Sequence, residues 1–242
     1  MYRLGMKYVY RLGVVVMLVV AVSACGGSAQ GEAARPIPEG HNATLPPGKY
    51  FSDEFKPRAS FSLNKGWRDP YQTSSTLSLL APERFCGPNC TYLDFWVVRS
   101  VLRVVSPYEA ESQPAPNDIV AWLQANPNLK TEEPQQTSIG GLKGVQVDAA
   151  ASHVPQEYFS GCMKACLPLF EDPTDTSQHF GLYEGDKARF IVLDDIGGKT
   201  VTIAIRASAD NFDAFLPYAR KVLDTVEWKG RSGESKATCV CT

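Results

Sequence analysis

With 242 residues the chain has room for one globular domain and appendages, since domains cluster near about 100 to 150 residues and single folds reach about 250. A composition of 44% hydrophobic, 10% aromatic and 21% charged residues excludes a coiled coil, a collagen-like chain and wholesale disorder. The formal charge of -2 comes without the basic stripe of a nucleic-acid reader, so no nucleic-acid partner is expected.

Arg3, Lys7 and Arg11 precede an uncharged run from Leu12 to Ala24, the charged and apolar regions of an export signal. That run is 13 residues long, about 20 Å as a helix, too short for a hydrocarbon core of roughly 30 Å. At its end, Val22-Ser23-Ala24-Cys25 resembles the lipobox of bacterial lipoproteins. The resemblance implies a signal peptide over 1–24, cleavage before Cys25, diacylglycerol on the Cys25 sulfur and a new amino group open to acylation. The competing reading is a plain secretory signal with a chance cysteine. Two or three acyl chains at about 0.8 kcal/mol per buried methylene hold a protein lastingly where one is marginal. The expected partner is therefore the lipid bilayer, through acylated Cys25, and the expected location is the outward-facing side of the cell membrane. Losing residues 1–24 leaves 21 cationic and 26 acidic side chains, a net charge of -5.

Gly26 to Gly48 holds five glycines and four prolines in 23 residues, so residues 25–48 read as the lipidated cysteine and a flexible Gly/Pro-rich tether, with a reach on the order of 25 Å. From Lys49 the pattern turns to short β-like runs. Ala59–Leu63 alternates Phe61 and Leu63 with serines, and Thr76–Leu80 is a second run stopped by Pro82. In Tyr92–Val105 the apolar parity passes from Leu93, Phe95 and Val97 to Leu102 and Val104, which requires a bulge or break near Arg99 and Ser100. Asn117–Ala125 reads as a helix with Asn117 as its cap, stopped at Asn126-Pro127. Ile139-Gly140-Gly141 is a turn into a strand carrying Val145 and Val147. Lys187–Asp194 and Lys199–Ala207 flank Asp195-Ile196-Gly197-Gly198 as a hairpin. Phe212, Phe215, Ala219, Val222, Leu223 and Val226 recur at helical spacing, with Asp210 or Asp213 as cap. Pro217 predicts a late start or a kink there, and Glu227 and Trp228 form a last short strand. Strands with two distant helices and no regular alternation predict an α+β class with a mainly antiparallel sheet flanked by helices.

The segments Asn64-Lys65-Gly66-Trp67, Gly140-Gly141-Leu142-Lys143-Gly144, Phe212-Asp213-Ala214-Phe215 and Val222-Leu223-Asp224-Thr225-Val226 resemble the PsbP-like fold. That fold occurs in extrinsic photosystem subunits, a nuclear-import cofactor and actinobacterial lipoproteins of the LpqN type. The resemblance covers Tyr50 to Trp228 and implies a sheet sandwiched by helices, used mostly to bind partners. It places a domain at 49–229, a cysteine-bearing insertion near 155–179 and a tail at 230–242.

Six cysteines besides Cys25 fall in three close pairs, Cys86/Cys90, Cys162/Cys166 and Cys239/Cys241. An even count in an exported chain reads as disulfides, with the connectivity left open. Gly87-Pro88-Asn89 would turn the chain sharply enough for a local Cys86–Cys90 bridge. The alternatives are zinc, because two C-x3-C pairs fit ligand spacing, or thiol redox chemistry. Asp172, Asp175 and His179 lie off the spacing of a calcium loop and read as a solvated polar loop. Asp194 and Asp195 read as hairpin-turn residues, and Trp67, Trp96, Trp122 and Trp228 as core or rim aromatics. No serine-nucleophile elbow, phosphate loop or dinucleotide fingerprint occurs. The expectation is a non-enzymatic module, without cofactor or metal, that binds a protein partner or a small ligand.

Overall fold

Short apolar alternations punctuated by glycine, proline and asparagine leave few stretches long enough for a helix, and the chain pairs them as strands. The computed structural model describes residues 33–38, 43–86, 89–106, 109–154, 162, 165–172 and 175–229, with backbone alone over 175–178. In chain order these are β1 (Arg35–Pro36), β2 (Gly48–Phe51), β3 (Ala59–Leu63), β4 (Arg68–Gln72), β5 (Thr76–Leu80), a 3₁₀ turn (Glu83–Phe85), β6 (Tyr92–Trp96), β7 (Ser100–Ser106) and β8 (Glu109–Pro114). There follow α1 (Ile119–Ala125), β9 (Leu129–Thr131), β10 (Gln135–Ile139), β11 (Leu142–Ala151), β12 (Cys166–Asp172), β13 (Asp175–Tyr183), β14 (Asp186–Leu193), β15 (Val201–Ser208), α2 (Ala209–Leu223) and β16 (Glu227–Trp228).

The central sheet runs β10-β11-β14-β15-β6-β5-β4, with β9 paired to the end of β11. A second sheet is β1-β2-β3-β16 and a third is β13-β12-β7-β8. Every pairing among these strands is antiparallel except β1 with β2. The coarse expectation of a mainly antiparallel β-rich domain with two helices therefore holds.

Two cores lie on opposite faces of the central sheet. On one, Leu93, Phe95, Ile203 and Ile205 pack with Tyr50 and Phe61 of the second sheet and with Phe212, Phe215 and Val222 of α2. On the other, Trp96, Phe190 and Ala204 pack with Leu169, Phe170 and Phe180 of the third sheet and with Ile119 and Leu123 of α1. Alternating side chains of a strand point to opposite faces, so β15 sends Val201, Ile203, Ile205 and Ala207 to the first core and Ala204 to the second. The parity change read near Arg99 is the point where the chain leaves the central sheet after Trp96 and enters the third sheet at Ser100.

Two sequence expectations are corrected. The tether assigned to 25–48 is in its described part a piece of the fold. Ile37 and Leu45 are buried in the first core, their amides donate to the carbonyls of Phe51 and Trp67 at 3.0 and 2.8 Å, and Arg35 donates to the carbonyls of Pro46 and Pro47. Proline needs no ladder partner for its nitrogen, so β1, with Pro36, sits at a sheet edge. The described part of 155–179 supplies β12 and the start of β13, and with them Leu167, Leu169 and Phe170 of the second core; Asp172, Asp175 and His179 are strand residues, not a loop.

Both helix starts also differ. Asp118, not Asn117, caps α1, accepting from the Ala121 amide at 2.9 Å. On α2 neither Asp210 nor Asp213 is the cap; Ser208 occupies that position without a side-chain bond, and the Ala209 amide donates to Gly185. Pro217 lies inside α2, where the missing amide costs about 3 kcal/mol; burial of Phe212, Phe215, Ala219, Val222 and Leu223 offsets it. Leu45→Ala in the chain lacking the signal should lower the unfolding free energy by about 2–4 kcal/mol in urea titration; an unchanged midpoint would restore the tether reading of this segment.

Candidate functional site

Strand register decides which polar side chains meet. Ser78 lies opposite Asp94 and Leu80 opposite Tyr92 on β5 and β6. Asp94 lies opposite Ala204 and Tyr92 opposite Arg206 on β6 and β15. Period two therefore puts Tyr92, Asp94 and Arg206 on the face turned to the third sheet, away from Leu93, Phe95 and Ile205. Arg206 lies over three rings, 4.8 Å from Tyr92, 5.4 Å from Phe180 and 5.6 Å from Tyr183, and donates to the Gly181 carbonyl at 2.6 Å. Gly181 is required there, because a Cβ would lie 2.8 Å from the Leu167 carbonyl oxygen and 3.2 Å from Cys166 Sγ.

Asp94 is buried and accepts a hydrogen bond from the Ser78 hydroxyl. Burial pushes its carboxyl up to about 6, against the opposing pull of Arg206 and Ser78. Tyr92 is pushed up to about 12, by burial first and then by the charges of Cys90 and Asp94.

Cys86 follows the 3₁₀ turn and Cys90 leads into β6. Both are half-buried free thiols, near enough that Cys86 contributes to holding the Cys90 proton. The local bridge expected there is not made. Arg68 Nη2 donates to Cys86 Sγ at 3.3 Å. Burial foremost, then Cys86, raises the Cys90 thiol above its ordinary value, while Arg68 and Arg206 pull it down. The loop between the sulfurs is anchored at its described end: Asn89 Nδ2 donates to Asp186 Oδ1 at 2.6 Å, Asp186 Oδ2 accepts from the Tyr183 amide at 3.2 Å, and Thr91 Oγ1 donates to the Phe85 carbonyl at 2.7 Å.

Cys162 and Cys166 are joined as a disulfide with Cα atoms 6.2 Å apart, buried beside Leu102 in a small apolar cluster. Cys25, Cys239 and Cys241 lie outside the described residues. Among the described residues no three of His, Cys, Asp and Glu converge to hold a metal ion, so Cys86, Cys90, Cys162 and Cys166 do not assemble a four-thiolate site.

A second feature is a cleft of about 210 Å³ between α2 and the central sheet. Ile191, Ile205 and Leu223 form its floor, and Arg189, Arg220 and Pro217 its rim. Arg189 is held in two bonds of 2.6 and 2.7 Å by Asp148, which raises the guanidinium above its ordinary value. Arg220 pairs with Asp224 at 2.6 Å on an exposed surface.

Asp172 is buried and accepts from the hydroxyls of Thr73, Ser75 and Thr76 at 2.9, 2.8 and 2.7 Å. It ties the third sheet to the turn between β4 and β5 and makes a structural joint. Asp194 accepts from Thr200 beside the hairpin turn, where Asp195 adopts φ 58°. Trp67, Trp96 and Trp228 are buried and Trp122 packs at the edge of the second core, as expected of core and rim aromatics.

No protein-family model, curated protein or solved structure matches the chain.

Sequence reasoning missed Arg68, Tyr92, Asp94, Arg206 and the cleft. The signal present was the alternation of Tyr92 and Asp94 with Leu93 and Phe95, which marks a polar minority on one face. What brings Arg206 beside it is the register between strands far apart in sequence. The folded Asp94 carboxyl at about 6 holds a proton that the unfolded chain, at 3.8, has released. Stability should therefore fall as pH rises through that window, by at most about 3 kcal/mol. Urea unfolding across the window should show this slope in the parent chain and a flatter one in Asp94→Asn; equal slopes would refute the assignment.

Proposed function

We propose that the mature chain is a membrane-tethered, outward-facing lipoprotein whose β-rich domain is a non-enzymatic binding module, a PsbP-like α+β sandwich. The observation that carries this reading is Val22-Ser23-Ala24-Cys25 at the end of an uncharged run that follows three cations. Two helices flanking a mainly antiparallel sheet support the sandwich, and the chain carries no recognised catalytic motif.

The cleft against α2 is the binding site best supported by geometry. Its 210 Å³ is below the roughly 300–1,000 Å³ of drug-sized sites, which suits a ligand of few heavy atoms. An apolar floor with Arg220 on the rim selects a short apolar chain carrying one anionic group.

Cys25→Ser should move the protein from the membrane to the soluble fraction, and mass spectrometry of the parent should find an acylated N-terminus at residue 25. Met1 retained on the mature protein, or a bare thiol at 25, would overturn the tether. Short-chain carboxylates should bind in calorimetric titration and lose about tenfold in affinity, about 1.4 kcal/mol, in Arg220→Ala; equal affinities would remove the cleft from the proposal.

A further inference from the structure

Two cysteine pairs share one spacing and differ in state. Cys162 and Cys166 are bonded and sealed, at 5% and 0% exposure, beside Leu102. Cys86 and Cys90 are half-buried thiols four residues apart, reached by solvent, and Arg68 Nη2 lies 3.3 Å from Cys86 Sγ. Among the described residues Arg68 forms no ion pair with a carboxylate and donates to Cys86 Sγ, whereas Arg206 also acts on the Asp94 carboxyl.

The two sulfurs are not equivalent. Cys86 accepts the Arg68 hydrogen bond at 3.3 Å, which sets a cation beside the sulfur where an incoming disulfide would meet it, and the thiolate is the form of a cysteine that attacks a disulfide. Cys90 sits deeper in the electrostatic sense: burial and its neighbour hold its proton. A protonated second thiol within reach of the first is the arrangement needed to resolve a mixed disulfide after it has formed, and the bonds of Asn89 and Thr91 hold Cys90 in place for it.

We propose that Cys86 and Cys90 form a thiol–disulfide exchange site for small carboxylate-bearing disulfides, with Cys86 the attacking sulfur and Cys90 the resolving one. The Cys86 thiolate attacks one sulfur of R–S–S–R, forming a Cys86–S–S–R bond and expelling R–S⁻. That anion takes the Cys90 proton. The Cys90 thiolate then attacks the Cys86 sulfur, closing Cys86–S–S–Cys90 and expelling the second R–S⁻, which takes up the proton first lost by Cys86. Two protein thiols are oxidised, one disulfide is reduced to two thiols, and no other oxidant enters. The charge of Arg68 beside Cys86 selects carboxylate-bearing disulfides over cationic ones. The site is independent of the tether and of the cleft.

The test uses the full chain with oxidised glutathione, which is anionic, and cystamine, which is cationic, and locates adducts by peptide mass mapping. Cys90→Ser should accumulate glutathione on Cys86, whereas the parent should end with a Cys86–Cys90 bridge and two released thiols. Relative to a small-thiol reference, oxidised glutathione should react at least about tenfold faster than cystamine, an advantage lost in high salt and in Arg68→Gln. An adduct forming on Cys90 in Cys86→Ser as fast as on Cys86 in Cys90→Ser would overturn the assignment of roles. Equal rates for the two disulfides in the parent chain, or a Cys86–Cys90 bridge that no small thiol opens, would overturn the site itself, and both of these readouts need no variant.

Discussion

A sheet whose two faces are both covered has no side on which a polar residue meets water, and β15 occupies such a position. Its odd-numbered residues enter one core and Ala204 the other, while Thr202 is fully buried. The second and third sheets and both helices exist to cover these two faces, since burying one alone would leave Phe190, Trp96 and Ala204, or else Ile203, Ile205 and Phe95, in water. A polar side chain on this framework must find a partner within the protein or sit where the sheet runs out of cover. Asp172 takes the first course, with three hydroxyls. Arg206 takes the second, beyond Ala204 along β15, where rings and the Gly181 carbonyl surround it only in part. Chemistry gathers at the margin of the second core because the interior excludes it.

The same argument separates the cysteine pairs. Spacing gives the two an equal chance of bridging, so spacing does not decide the outcome. Cys162 and Cys166 lie among Leu102, Ala110 and Tyr183, where a thiolate would be desolvated and uncompensated. Cys86 and Cys90 lie half-buried at the margin, where Arg68 donates to Cys86. The difference between the pairs follows from where the central sheet ends.

What the sequence made legible was local. The strands at Ala59–Leu63 and Thr76–Leu80, the hairpin at Asp195–Gly198, the final helix and the closing Glu227–Trp228 strand are all written in periodicity and turn residues within a few positions. The break at Arg99 was legible for the same reason, because a parity change is a local signal even though the change of sheet it produces is not. Three kinds of feature were not readable. Ile37 and Leu45 are single apolar residues among prolines, too sparse to show a period, yet each fills a place in the first core. β12 and β13 carry Pro168, Asp172, Asp175 and His179, a composition that reads as loop until its long-range partner is known. The candidate site joins β4, β6 and β15 with the loop between the cysteines, and only the strand order brings these together.

Placing Ile37 and Leu45 in the core also changes what a lipid on Cys25 would do. A tether ending at Gly48 would let the domain wander on the order of 25 Å from the bilayer. Ala33, the first described residue, stands eight positions after Cys25 in the sequence, a separation of at most about 27 Å along the chain. With a lipid on Cys25, the β1 edge of the second sheet would be the part of the described fold nearest the headgroups along the chain. Lys49 and Lys229 belong to that sheet and its exit, with Lys49 paired to Glu227 and Lys229 over the Phe51 ring. A net charge of -5 on the mature chain repels an anionic leaflet on average, but at a distance comparable to the Debye length of about 8–10 Å the local charges near the attachment point outweigh the distant ones. Were Cys25 acylated as proposed, the core positions of Ile37 and Leu45 would therefore favour an oriented attachment over a freely wandering one, with the second sheet on the attached side.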